Sequence, residues 1–147
     1  MREEHRMTDR NVSSTRTVVD RYFAFASSAA PESIAELFSE AVDFDIPGDV
    51  ASVPWLGRRE GRAGVAAFIA EIRRGTRSDT FEIDRIVVDG DTAVVLGRFR
   101  TWAVATNKLM DSDFALIFTV GDSLITRFRL LEDSYAVSRA LHVAPHA

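Results

Sequence analysis

Cysteine is absent from the 147-residue chain. That excludes disulfides, thiolate zinc sites and cysteine nucleophiles. Histidine is confined to the ends, as His5, His142 and His146. Unless those ends fold back, Ser-His-Asp triads and histidine-based metal sites are excluded as well, and no metal is expected. Lysine occurs once, as Lys108, against 17 arginines. A Schiff-base mechanism would rest on that one residue, in a predicted turn where exposure is expected. Long apolar runs are missing too. The longest, Val65 to Ala70, falls far short of the ~18 residues that span a bilayer, and the N-terminus lacks the apolar core of a secretory signal. No membrane contact is expected, and a cytoplasmic protein is the default. Excess positive charge is also lacking. The net charge is −4 and the basic clusters, Arg58-Arg59 and Arg73-Arg74-x-x-Arg77, are short, so no nucleic-acid partner is expected.

What is present is ordinary for a globular chain, 46% hydrophobic and 27% charged. The length fits one domain, large enough to bury about two thirds of its unfolded surface. Residues 1–13 read as a disordered tail, with Met7 as an alternative start; 14–141 form a single domain and 142–147 a C-terminal tail.

Ser13, Ser14 or Thr15 can cap a first helix to about Ala26, with Val18, Tyr22 and Phe25 in one apolar row and Val19, Phe23 and Ala26 in the next. Pro31 fits the start of a second helix, about 31–40. Val42-Asp43-Phe44-Asp45-Ile46 alternates with period two and stops at Pro47-Gly48. A loop with Trp55 follows, then a helix from about Arg62 to Arg74 with Gly75 as its C′ residue. Beyond Gly75 the period is two throughout. Strands are expected near 79–88, 92–105, 109–120 and 123–132, with turns at Asp89-Gly90-Asp91, Thr106-Asn107-Lys108 and Gly121-Asp122. Helices followed by a four-strand meander make an α+β pattern.

Pairing Ala105 with Lys108 sets Trp102 opposite Asp111 and Arg100 opposite Asp113. Arg127 and Arg129 join them on one face, an Arg–Asp–Arg ladder of favourable cross-strand pairs. That face is either solvated or a subunit contact, and Trp102 on it suits cation–π packing or an interface. The opposite face carries Phe99, Thr101, Ser112, Phe114, Leu116, Thr126, Phe128, Leu130 and Glu132, and a three-residue turn would place Ser112 opposite Glu132.

The order helix, helix, strand, tryptophan loop, helix, meander resembles the NTF2-like superfamily, and most of all its SnoaL-like branch of polyketide cyclases, ketosteroid isomerases and epoxide hydrolases. The resemblance is carried by Val19 to Ala24, Leu37 to Glu40, Val42 to Gly48, Val53 to Arg62 and Arg127 to Ser134, over roughly residues 15–141. It implies a cone: N-terminal helices packed on a strongly curved, mainly antiparallel sheet that encloses an apolar pocket. It also implies cofactor-independent acid–base chemistry as an isomerase, cyclase or hydrolase on a small hydrophobic, oxygen-bearing molecule. A homodimer through the sheet face with Arg100, Trp102, Asp111, Asp113, Arg127 and Arg129 is implied too. The alternative is a non-catalytic binding or dimerisation module of the same fold.

The known catalytic sets match poorly. Tyr22 falls at the tyrosine oxyanion donor of the isomerases, but Ile46 stands at their base, with Asp45 adjacent on the opposite strand face, and a place near Leu116 at their second donor. The hydrolase set falls on Gly97, Phe99, Leu130, Phe44 and Ile46. For the cyclase pair, Asp133 can supply the aspartate, but the core has no histidine. Three catalytic candidates follow. Glu132 points into the pocket by strand parity, where desolvation would raise its pKa, or it is a rim residue. Tyr22 donates to a ligand oxygen, or ties its hydroxyl to a backbone carbonyl. Asp133 is catalytic, or caps the terminal helix from Ser134 to Leu141. Ligand contacts are expected from Phe44, Ile46, Trp55, Phe99, Ser112, Phe114, Phe128 and Leu130, with Trp55 closing the mouth or anchoring its loop.

Overall fold

The computed structural model describes residues 2–143. Helices α1 (Arg2–Ala26) and α2 (Pro31–Ala35) precede strand β1 (Phe38–Ile46), a short β2 (Gly57–Arg59) and helix α3 (Gly61–Gly75). The meander follows as β3 (Thr76–Asp89), β4 (Thr92–Ala103), β5 (Lys108–Gly121) and β6 (Leu124–Glu132), and helix α4 (Ser134–Leu141) closes the chain. One sheet runs in the order β2-β1-β6-β5-β4-β3. Every pairing is antiparallel except β1 with β6. The expected α+β cone is therefore present, with the helices on the concave side of a curved, open sheet.

The apolar rows of α1 do bury Val18, Val19 and Tyr22. Its start differs from expectation: the helix runs back to Arg2 through the stretch read as a tail. Ser13 accepts at its carbonyl from Thr17 Oγ1 (2.9 Å), a bond from inside the helix. Thr15, also inside it, donates to Gly90 O at 2.8 Å and fastens α1 to the β3–β4 turn. The C-terminal stretch 144–147, with His146, lies outside the described residues.

Helix α2 is shorter than the expected span, because Phe38 leaves the helix to pair with Ile125 of β6. Its ring packs 5.7 Å from Phe128 and 6.1 Å from Tyr22. Burial of an aromatic ring outweighs a local helical preference of a few tenths of a kcal/mol. Gly75 is the last residue of α3 and not a left-handed C′ residue. Its role is close approach: a Cβ there would lie 2.7 Å from Trp55 Cζ3, so the indole rests on bare backbone.

The meander turns fall where expected, with positive φ at Gly90, Asn107, Asp122 and Ser123. The registers do not. Ala103 pairs with Lys108, so four residues turn the chain where a shorter loop was expected. Arg100 then faces Asp111, Arg98 faces Asp113 and Trp102 faces Leu109. Between β5 and β6 an irregularity next to Thr119 sets Phe114, not Ser112, opposite Glu132. Both slips are by two residues, so inner and outer faces keep their membership.

The three-strand Arg–Asp–Arg ladder is thereby replaced by separate pairs. Arg98 holds Asp111 at 2.9 Å and Asp113 at 3.7 Å, and Arg100 reaches Asp79 at 3.5 Å. Arg129 faces Ile117 across the ladder and pairs with Asp43 on β1 at 3.0 Å, while Arg127 faces Thr119. That pairing holds the Asp43 carboxyl below its usual range. Arg77 lies over the Trp102 ring at 5.8 Å.

On β3 the extra residues Asp79 and Asp84 have no backbone ladder partner on β4 and form two bulges. No helix among the described residues is long and apolar enough to cross a membrane.

Candidate active site

Ten phenylalanines and period-two strands give the concave face its character. Phe44 and Phe128 stack nearly parallel at 4.7 Å, and Tyr22 meets Phe118 edge-on at 5.3 Å and Phe128 at 5.5 Å. These rings close the deep end. Between them and α4 lies a cavity of about 520 Å³, within the usual range for a small-molecule site.

Seven of the expected residues meet there: Tyr22, Trp55, Phe99, Phe114, Phe128, Leu130 and Glu132 all line it. Phe44 stands one layer back, supporting Phe128. Ile46 is fully buried and does not reach the cavity. Ser112 and Asp133 are drawn away by backbone partners. Ser112 Oγ donates to Asp113 O (2.6 Å) and accepts from Asp133 N (2.9 Å). Asp133 caps α4, accepting from Ala136 N at 3.0 Å. Both border a separate polar depression shared with Arg98, Asp111 and Asp113. The cap reading of Asp133 thus holds in the structure, and Ser112 is occupied by the main chain.

Sequence reasoning missed part of the lining. Arg73, Thr76 and Ser78 face the cavity. Arg73 looked like surface charge, yet it follows Ile69 by four residues and shares its helix face. Its guanidinium donates to Ala26 O (2.9 Å) at the end of α1 and to Ala29 O (2.7 Å) in the turn that follows. Ser78 pairs directly with Thr101, placing two hydroxyls side by side.

The electrostatics separate two groups. Glu132, half-buried beside Phe114 and Leu130, has its pKa raised to about 7, first by desolvation and then by the charge of Asp133. Near neutrality it is present in both forms, as a general acid or base requires. Burial pushes the Tyr22 phenol above its ordinary value, opposed by Arg73, so it stays a proton-bearing donor. Among the described residues no buried side-chain polar atom lacks a partner, and no cluster of three or more metal-donor side chains forms.

One chain end does fold back. His142 Nδ1 lies 2.7 Å from Ser138 O and Nε2 lies 3.3 Å from Ser52 Oγ. A carbonyl only accepts, so Nδ1 carries the proton. The third partner is a backbone carbonyl where a triad has a carboxylate, and none of these residues lines the cavity. Together with Ser138–Asp49 (2.6 Å) and Lys108 Nζ–His142 O (2.6 Å), the contact ties α4 to the Trp55 loop and β5.

The model of the SnoaL-like domain matches residues 19–128. The chain belongs to the SnoaL-like family. Solved structures agree with the fold of this SnoaL-like domain. An NTF2-like protein from Burkholderia xenovorans LB400 is 23% identical, with 89% of this chain and 98% of that one covered at a TM-score of 0.81. A candidate SnoaL-like polyketide cyclase from Jannaschia sp. CCS1 is 18% identical over 92% and 96% of the two chains, with a TM-score of 0.74. TerC, co-crystallised with polyporic acid, is 20% identical over 87% and 98%, with a TM-score of 0.71. No curated protein matches the sequence.

Proposed function

We propose that this SnoaL-like domain binds a small hydrophobic molecule carrying oxygen in its cone and acts on it by cofactor-independent acid–base chemistry, as an isomerase, cyclase or hydrolase. The observation that carries the reading is Glu132, a carboxyl on an aromatic wall with its pKa raised to about 7. In its neutral form it donates to a carbonyl or hydroxyl, and in its ionised form it takes a proton. Tyr22 supplies the second handle. Its ring lies against Phe128, four residues before Glu132 on β6, and both side chains line the same cavity. A flat, oxygen-bearing ligand suits such a lining, since the rings offer it stacking surface and the two polar groups offer it hydrogen bonds. The likeness to TerC, a protein crystallised with polyporic acid, supports the ligand class.

The test is a panel of flat phenols, quinones and cyclic ketones, screened by tryptophan fluorescence and then for turnover. With a substrate in hand, Glu132→Gln should lower kcat by at least about 100-fold while binding persists. An unchanged kcat removes Glu132 from the chemistry. Tight binding without turnover in the natural protein makes the domain a carrier or sensor.

We also propose a cytoplasmic homodimer, joined through the outer sheet face that presents Arg100, Trp102, Asp111, Asp113, Arg127 and Arg129. Its mixed charges and half-exposed tryptophan suit a self-complementary contact. Sedimentation at micromolar concentration should give twice the chain mass; the monomer mass refutes it.

A further inference from the structure

The β5–β6 ladder ends at the pair Phe114–Glu132. One residue later the chain leaves the sheet, and there both ends of Asp133 are tied. Its backbone N–H donates to the buried Ser112 Oγ at 2.9 Å, and its carboxylate accepts from Ala136 N at 3.0 Å. Ser112 is itself fixed, because its hydroxyl donates to Asp113 O. Resting on the acid–base reading above, we infer that Ser112 and Asp133 are positioning residues for Glu132: the clamp aims the Glu132 carboxyl into the cavity and sets the Asp133 carboxylate behind it.

The geometry supports both halves. The two bonds at residue 133 fasten the chain where it leaves the sheet, one residue after Glu132. The Asp133 carboxylate stays on the far side, in the depression with Arg98, Asp111 and Asp113. Arg98 is the cation of that depression, and it is engaged by Asp111 at 2.9 Å and Asp113 at 3.7 Å. The Asp133 carboxylate is therefore met by the Ala136 N–H of α4. On the cavity side Glu132 shares its space with Arg73 of α3 and Tyr22 of α1. Like charge next to a desolvated carboxyl favours its neutral form, which agrees with the contribution of Asp133 to the raised Glu132 pKa.

The test is a carboxyl-carbon NMR titration of the full chain, with Glu132→Gln to assign the signal. Asn caps a helix as well as Asp, so Asp133→Asn removes the charge and keeps the cap. Asp133→Asn should leave the melting temperature unchanged and lower the Glu132 midpoint by roughly half a unit, as loss of one nearby like charge does. Ser112→Ala should lower the midpoint too, as the freed strand end lets the carboxyl reach water. A midpoint of about 7 in all three proteins overturns the inference and leaves the acid–base reading intact. A midpoint near 4.5 in the natural protein overturns the acid–base reading itself. Loss of thermal stability in Asp133→Ala, with no titration shift in Asp133→Asn, makes Asp133 a helix cap alone.

Discussion

The two walls of the cavity follow the same alternating pattern and have opposite fates. On β5 and β6 the inward residues Phe114, Phe118 and Phe128 are buried, because each strand has a neighbour on both sides and helices above. On β3 the corresponding Phe81 and Ile83 remain 51% and 40% exposed. That strand has one neighbour, two bulges and little helix cover. Identical periodicity yields a buried wall in one place and an exposed rim in the other. The deciding factor is position in the sheet, which no local pattern contains. The candidate acid–base group, Glu132, sits on the buried wall, where its surroundings desolvate it.

The contrast can be broken at measured cost. Phe128→Ala removes a ring that stacks on Phe44 and touches Tyr22 and Phe38. It should cost about 3–5 kcal/mol in urea unfolding. Next comes pH. The folded pKa of Glu132 is raised, so its contribution to stability is full below its unfolded value near 4.5 and is lost as pH rises toward about 7. Stability should fall by about 2 kcal/mol across that window from this group, after allowance for its partial exposure. Glu132→Gln should abolish that part of the slope, and an unaltered slope would show that the wall does not desolvate the carboxyl. Gly97→Ala probes the seam between the walls. Its Cβ would lie 2.6 Å from Phe114 Cζ and hard against the Glu82 carbonyl, and a loss of about 1–3 kcal/mol is expected by calorimetry. The smallest effect belongs to the rim: Phe81→Ala should cost about 1 kcal/mol or less, since half its surface already meets water. A cost equal to that of Phe128→Ala would erase the distinction.

These differences also mark what the sequence made legible. Strand parity placed Phe99, Phe114, Phe128, Leu130 and Glu132 on the concave face, and the structure keeps them there. Parity survived even though both hairpin registers slipped, because each slip was even. Individual cross-strand partners did not survive. They depend on turn length and on the bulge near Thr126, and neither has a periodic signal. Helix α2 and strand β1 were misdivided at Phe38 because its ring is claimed by a distant core. Arg73, Thr76 and Ser78 were missed since they reach the cavity only after α3 and β3 converge on it. Asp133 takes the helix-cap alternative, and the Ser112 hydroxyl is engaged by backbone groups rather than turned to the cavity. A side chain's direction is set by which backbone group it binds, and that is long-range information.

The two bulges of β3 have a consequence for its free edge. Fourteen residues of free strand edge make a template on which another copy's strand can add. Regular addition requires an unbroken rhythm of N–H and C=O groups. Asp79 and Asp84 interrupt that rhythm at two points, and each interruption carries a carboxylate. Stacking of copies into ribbons is thereby discouraged twice over, sterically and by charge. The apolar side chains exposed on this outermost strand, Phe81, Ile83 and Val87, are thus interspersed with breaks in its edge.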